Sequence, residues 1–216
     1  SATSFFVGAD YRAPVSIHDV LFEGARLDDA LLPITPKLSV VPGAAKMEDA
    51  DRLLPSITGA DTVLFRAFRA LQTPFDVVLL DVPSGWGATA RNALLAATHH
   101  LLPINSEQMA LDTAHSTLAH SVGLFEAYDR ETLPFAALLT AFRETHSSHD
   151  IEAQCRGFWP QNTLQTRIRY TEQIKELAAT RKTVAQRQAA TAREDFAALG
   201  DEILKSWQPK LRNRKK

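Results

Sequence analysis

The chain is poor in the residues that carry redox and soft-metal chemistry. Its 216 residues include one cysteine, Cys155, and two methionines. A lone thiol cannot close an internal disulfide. It also excludes a cysteine-only zinc site or an iron–sulfur cluster held within one chain, and a reducing cytoplasm is the natural reading. No run approaches the roughly 18 apolar residues of a membrane-spanning helix, and no basic stretch leads into an apolar one as a secretory signal would. Neither sign of charge dominates, since the formal net charge is −1. The first residue is Ser1, a start that either methionine removal or a missing beginning explains.

What is present is ordinary for a globular protein: 45% hydrophobic and 23% charged residues, enough for a core without disulfides or metals. The length and the lack of a low-complexity linker predict one domain over residues 1–207. Beyond it, Lys210, Arg212, Arg214, Lys215 and Lys216 make residues 208–216 a basic tail. The strongest strand pattern is Phe75-Asp-Val-Val-Leu-Leu-Asp81, a continuous apolar run of the kind buried on both faces of a parallel sheet. Leu101–Ile104 and Phe135–Thr140 are further strands, and Leu38–Val41 is a shorter one. Helical spacing is expected over Ser16–Leu21, Asp28–Leu32, Asp61–Leu71, Ala90–Thr98, Met109–Tyr128 and Ala192–Trp207. Alternation of this kind predicts an α/β fold, a mostly parallel sheet flanked by helices.

One segment carries the chemistry. Asp81 ends the apolar run, and Val82-Pro83-Ser84-Gly85-Trp86-Gly87 follows it. A carboxylate at the C-terminal end of a strand lies where ligands bind in open α/β sheets. In P-loop hydrolases, a carboxylate there holds magnesium opposite the phosphates. Gly85 and Gly87 allow the next loop to approach a phosphate closely.

The run from Phe75 through Asp81, Pro83, Gly85 and Gly87 to Asn92-Ala-Leu-Leu-Ala-Ala97 closely resembles the second nucleotide motif of the ParA/MinD-type partition ATPases. Ser16-Ile-His-Asp-Val-Leu21, Leu27-Asp-Asp-Ala-Leu31, Leu38-Ser-Val-Val-Pro42 and Leu102-Pro-Ile104 through Ala110-Leu111 resemble further family segments. Lys182-Thr-Val184 and Phe196-Ala-Ala-Leu199 resemble its closing ones. The likeness covers nearly the whole chain, in order. It implies a P-loop NTPase architecture of SIMIBI/ParA type with the first strand and P-loop missing. ATP with magnesium would be the cofactors of the intact family protein, and this chain alone need hold neither. Asp81 would contact magnesium through water, and Pro83, Ser84, Gly85 and Gly87 would form the phosphate-sensing switch. It further implies an ATP-dependent homodimer that binds DNA non-specifically, answers to a ParB-like partner and resides on the bacterial nucleoid.

Two departures qualify that expectation. The family opens with a strand and a glycine-rich loop ending in Lys-Thr, whose amides and lysines cradle the phosphates, and no part of this chain resembles either. The adenine-side Ile-Pro segment is replaced by Thr166-Arg-Ile-Arg-Tyr-Thr171, without the proline. A non-catalytic relative acting as a DNA- or protein-binding module is therefore the alternative reading. A metabolic P-loop relative such as an iron-protein reductase fares worse, because its bridging cluster needs cysteines that Cys155 alone does not provide. For DNA contact, the basic residues Arg167, Arg169, Lys175, Arg181, Lys182 and Arg187 are the candidates, against a solvated face paired with Glu172 and Glu176. Among the histidine pairs, His99 and His100 point to opposite faces of a strand and His115 and His120 are five apart on a helix, both poor chelating geometries. His146 and His149 lie in a polar loop and could approach each other, a surface role being the favoured reading.

Overall fold

The computed structural model describes residues 2–8, 10–83, 85–180, 183 and 190–207, with the side chains of residues 2, 175 and 178 left aside. Ser84, Arg181, Lys182, Arg187 and the tail over 208–216 lie outside the described residues. No helix among those described is long and apolar enough to cross a membrane. The chain divides into two compact units, Ser1–Thr98 with His120–Thr132, and His99–Ala119 with Leu133–Lys216.

The first unit is a cluster of short helices around a hairpin. After helix α1 (Ala2–Val7), helix α2 (Ile17–Phe22) is started by a capping box in which Asp19 accepts from both the Ser16 amide and hydroxyl at 2.6 Å. A 3-10 turn, Leu27–Ala30, leads into β1 (Leu32–Thr35), which pairs antiparallel with β2 (Leu38–Val40). The helix expected over Asp28–Leu32 is thus shorter, because Leu32 and Pro33 enter the hairpin instead. Three helices follow: α3 (Ala50–Leu53), α4 (Val63–Ala70) and α5 (Ala88–Ala96). Leu21, Ala50, Leu54, Leu64 and Ala88 form their common core.

The second unit holds the parallel sheet. Strands β3 (His100–Asn105), β4 (Phe135–Phe142) and β5 (Thr163–Arg169) lie in the order β3-β4-β5, both pairs parallel. Helix α6 (Gln108–Ala127) begins in this unit, and α7 (His146–Phe158) crosses from β4 to β5. One face of the sheet packs Leu102, Ile104, Leu139 and Phe142 against Leu111 of α6 and Ile151 of α7. The other packs Ala136, Leu138, Leu164 and Ile168 against Leu199 of helix α9 (Ala190–Ser206). Helix α8 (Glu172–Thr180) precedes it. The stretch containing His146 and His149, read as a loop, is helix, capped by the Thr145 hydroxyl accepting from Ser148 N at 3.3 Å.

The strand read over Phe75–Asp81 is not formed. These residues join no ladder, and Val77 and Leu79 are 60% and 88% exposed. A strand exists only where a neighbour supplies amides and carbonyls, and no described strand pairs with this run. Leu80 alone turns inward, onto the core beside Leu54 and Leu64.

The β5 edge is handled differently. Glu202 of α9 accepts from the amides of Gln165 and Thr166 at 2.7 and 2.8 Å, and buried Asp195 accepts from the Arg169 amide at 2.9 Å. Two helix carboxylates therefore take the place of a further strand at that edge. Burial would raise the Glu202 carboxyl, but the hydrogen bonds from Thr166 and Gln165 outweigh it and hold the group below its ordinary value. A carboxylate held low in the folded state stabilises above its unfolded pKa of about 4.3 and loses that contribution as the pH falls through the folded value. We expect Glu202→Gln to cost about 1 kcal/mol at neutral pH. Its melting temperature should also fall less steeply than the wild type's below about pH 4, as measured by circular dichroism.

Candidate nucleotide site

The apolar run delivers its acidic end to a glycine loop. Asp81 and Pro83 are exposed. Gly85 has a φ of +112°, a conformation that side chains resist. Trp86 then folds its ring onto His120 of α6, centroids 5.2 Å apart and planes 27° from parallel. Gly87 closes the loop at the N-cap position of α5.

That closure depends on Asp51 of α3. Gly87 has no side chain to cap the helix, and the Asp51 carboxylate does so from outside, accepting from the Thr89 amide at 2.8 Å and its hydroxyl at 2.7 Å. A Cβ on Gly87 would fall on that carboxylate. The glycine is therefore required for the approach of Asp51, since its own φ of −81° suits any residue.

Helix α5 is itself immobilised. Buried Asn92 donates to the carbonyls of Ala60 and Ala88 and accepts from the Leu64 amide at 3.2 Å. Arg91 pairs with Asp61 at 3.2 Å, and the Tyr128 hydroxyl donates to the same carboxylate at 3.1 Å. Arg130 donates to the Leu95 carbonyl at 2.8 Å. Upstream of the apolar run, Asp28 accepts from the amides of Gln72 and Thr73. These bonds hold the Asp28 carboxyl well below its usual range, led by the one from the Thr73 hydroxyl. Both ends of the segment from Gln72 to Gly87 are thus tied down, while its middle carries the exposed apolar side chains.

A family described as an AAA domain matches this chain over residues 2–134. The chain belongs to that family and is of ParA/MinD type. It is similar to the chromosome partitioning protein ParA of Myxococcus xanthus, with 24% identity over 204 residues, 93% of this chain and 72% of that protein. It is also similar to the chromosome-partitioning ATPase Soj of Thermus thermophilus, 29% identical over 157 residues, 72% of this chain but 57% of the relative. In fold it is similar to a cobyrinic acid a,c-diamide synthase from Mycobacterium smegmatis with a bound ATP analogue and magnesium. That structure has a TM-score of 0.76 and 21% identity, with 94% of this chain and 77% of that one covered. The ParA/MinD-type P-loop NTPase fold accounts for the parallel sheet flanked by helices.

Two arginines of this ParA/MinD-type chain proposed for DNA are engaged internally. Arg169 pairs with Asp195 at 2.6 Å and Glu194 at 3.3 Å. Arg167 pairs with Glu152 at 3.2 Å and lies over the Phe142 ring at 4.5 Å. Together with Glu144 they line an open recess of about 200 Å³ at the C-terminal ends of β4 and β5. A bulge at Ala141, whose φ is +50°, shapes this strand end. His99 and His120 stack on Trp207 and Trp86, His115 meets Phe158 edge-on, and His149 bonds to Glu144 at 2.9 Å. The sequence signal missed was Asp51, whose distance of 38 residues from Thr89 no local pattern encodes.

Gly87→Ala must push the Asp51 carboxylate off Thr89, which is the same loss that Asp51→Ala causes. Each variant should cost about 1 kcal/mol, the ordinary value of a helix cap. The double variant should cost no more than the larger single. Urea denaturation of the three proteins measures this, and additive losses would contradict the contact.

Proposed function

We propose that the chain is the larger part of a ParA-like partition ATPase, in which Asp81 and the loop through Pro83, Ser84, Gly85 and Gly87 read the nucleotide state. The observation that carries the reading is an exposed carboxylate followed at once by a glycine loop anchored at its far end by Asp51. Asp51 anchors the start of α5 through Thr89, and a nucleotide would be sensed by the residues before that anchor. An oxygen ligand on an exposed loop suits magnesium, a hard cation that keeps most of its waters. When bound, magnesium would neutralise charge on the phosphates. Asp81 would orient that hydrated ion, and the amides around Gly85 and Gly87 would meet the terminal phosphate.

The partition role rests on the names of the relatives and on the resemblance. It includes an ATP-dependent homodimer, non-specific binding to DNA, stimulation by a ParB-like partner and a place in the cytoplasm on the nucleoid. The DNA contact is proposed for Arg167, Arg169, Lys175, Arg181, Lys182 and Arg187, of which Arg167 and Arg169 also pair with carboxylates of the chain. Hydrolysis also needs a phosphate cradle with lysine, and the 216 residues contain no glycine-rich Lys-Thr loop. We expect residues 1–216 alone not to turn over ATP. In the family architecture, a strand leading to that cradle would pair with residues 75–81 and cover Val77 and Leu79.

Trp86 supplies the readout. Magnesium-ATP added to the product of the full reading frame should change its tryptophan emission, and Trp86→Phe should remove the change. Asp81→Ala should lower turnover by about a hundredfold or more, the cost of a lost electrostatic contact at a transferring phosphoryl group. A full-frame product that neither binds nor hydrolyses ATP would favour the alternative, a non-catalytic module for DNA or protein.

A further inference from the structure

Helix α2 carries a second constellation, made of residues outside the nucleotide loop. His18 lies in its first turn with a side chain only 10% exposed, and its Nδ1 is buried without a hydrogen-bond partner. Buried polar nitrogens are nearly always satisfied, so an orphan invites a ligand. The ring plane is fixed by stacking on Phe22, centroids 4.6 Å apart and planes at 26°. Nδ1 faces two carboxylates, Asp19 Oδ1 at 4.0 Å and Glu23 Oε1 at 3.9 Å.

Those separations are too long for a hydrogen bond, which needs roughly 2.7–3.2 Å. A protonated ring would therefore leave its N–H unbonded here. A shared cation suits the spacing better. One ligand atom from each of His18, Asp19 and Glu23 lies within 4.8 Å of the other two. Around a zinc-sized ion with bonds of about 2.0–2.2 Å, tetrahedral ligand atoms stand roughly 3.4 Å apart. Glu23, whose side chain is 58% exposed, can supply most of the closure.

The surroundings are arranged as a metal's outer shell would be. Asp19 gives its other oxygen, Oδ2, to the Ser16 amide and hydroxyl. This orients Oδ1 toward His18 in the way that outer-shell bonds orient ligating carboxylates. The chain reverses at Gly24, φ +74°, and both Glu23 N and Ala25 N donate to the Asp19 carbonyl. Glu23 is thereby held at the end of the helix that His18 and Asp19 begin.

We propose that His18, Asp19 and Glu23 form a binding site for a divalent transition-metal ion of the zinc class, which would clasp helix α2 to its C-terminal turn. One imidazole with two carboxylates favours zinc over magnesium, which prefers an all-oxygen octahedron. Water would complete the coordination. The site uses no residue of the nucleotide loop.

Titration of the 216-residue chain with zinc chloride in a calorimeter tests this, with magnesium chloride run separately. The expected result is one zinc site, no comparable magnesium binding, and a rise in melting temperature with zinc. Glu23→Gln, at an exposed position that does not threaten folding, should weaken zinc at least about tenfold, and His18→Gln should abolish binding. His149→Ala serves as control, because His149 also lies beside carboxylates, Glu144 and Glu152, and it should bind zinc as the wild type does. Absence of zinc binding, unchanged affinity in Glu23→Gln, or loss of binding in His149→Ala instead would each overturn the proposal.

Discussion

The carboxylate of Asp51 resting on the first turn of α5 is the contact on which the candidate site depends. It satisfies the Thr89 amide that Gly87 cannot cap, and it tolerates no side chain at residue 87. Asn92 and the Arg91–Asp61 pair extend the anchorage along the helix. In the proposed function, the anchored helix would pass a change at a phosphate on to Trp86, which rests on His120.

Two stretches of unpaired backbone show opposite solutions to one problem. The β5 edge is closed within the chain, because Asp195 and Glu202 of α9 accept its amides. The Phe75–Asp81 run has no such cover, and it presents Val77, Val78 and Leu79 to solvent. An apolar edge of this kind is a liability unless it is paired. That contrast is why the functional reading centres on this segment: its composition suits a buried strand, and its surroundings do not make it one.

Much of this is legible in the residues alone. The helix at Asp61–Leu71, the strands beginning at Leu101 and Phe135, and the amphipathic end with Leu199, Ile203 and Trp207 follow from periodicity, which reports burial directly. Ser16 and Asp19 announce their helix by spacing alone. The failures have physical causes. Phe75–Asp81 reads as a strand because apolar runs encode a preference for burial, whereas strand formation needs a neighbour that residue pattern cannot supply. Thr163–Arg169 escapes notice because three consecutive polar residues, Gln165, Thr166 and Arg167, separate the inward Leu164 and Ile168 and break the alternation of a strand. The Asp51 cap and the His18 cluster depend on tertiary placement. His18 stands within a recognised segment, yet only its burial reveals an unpartnered nitrogen.

The proposed function would make this chain part of a protein whose hold on DNA is switched by ATP. The direct measurement is retention of the full-frame product on non-specific duplex DNA with ATP and with ADP, at low and at high salt. The predicted result is retention with ATP, release with ADP, and a steep loss of binding as salt rises, as expected for phosphate contacts made by lysine and arginine. Equal retention with both nucleotides, or no DNA binding under either, would contradict it.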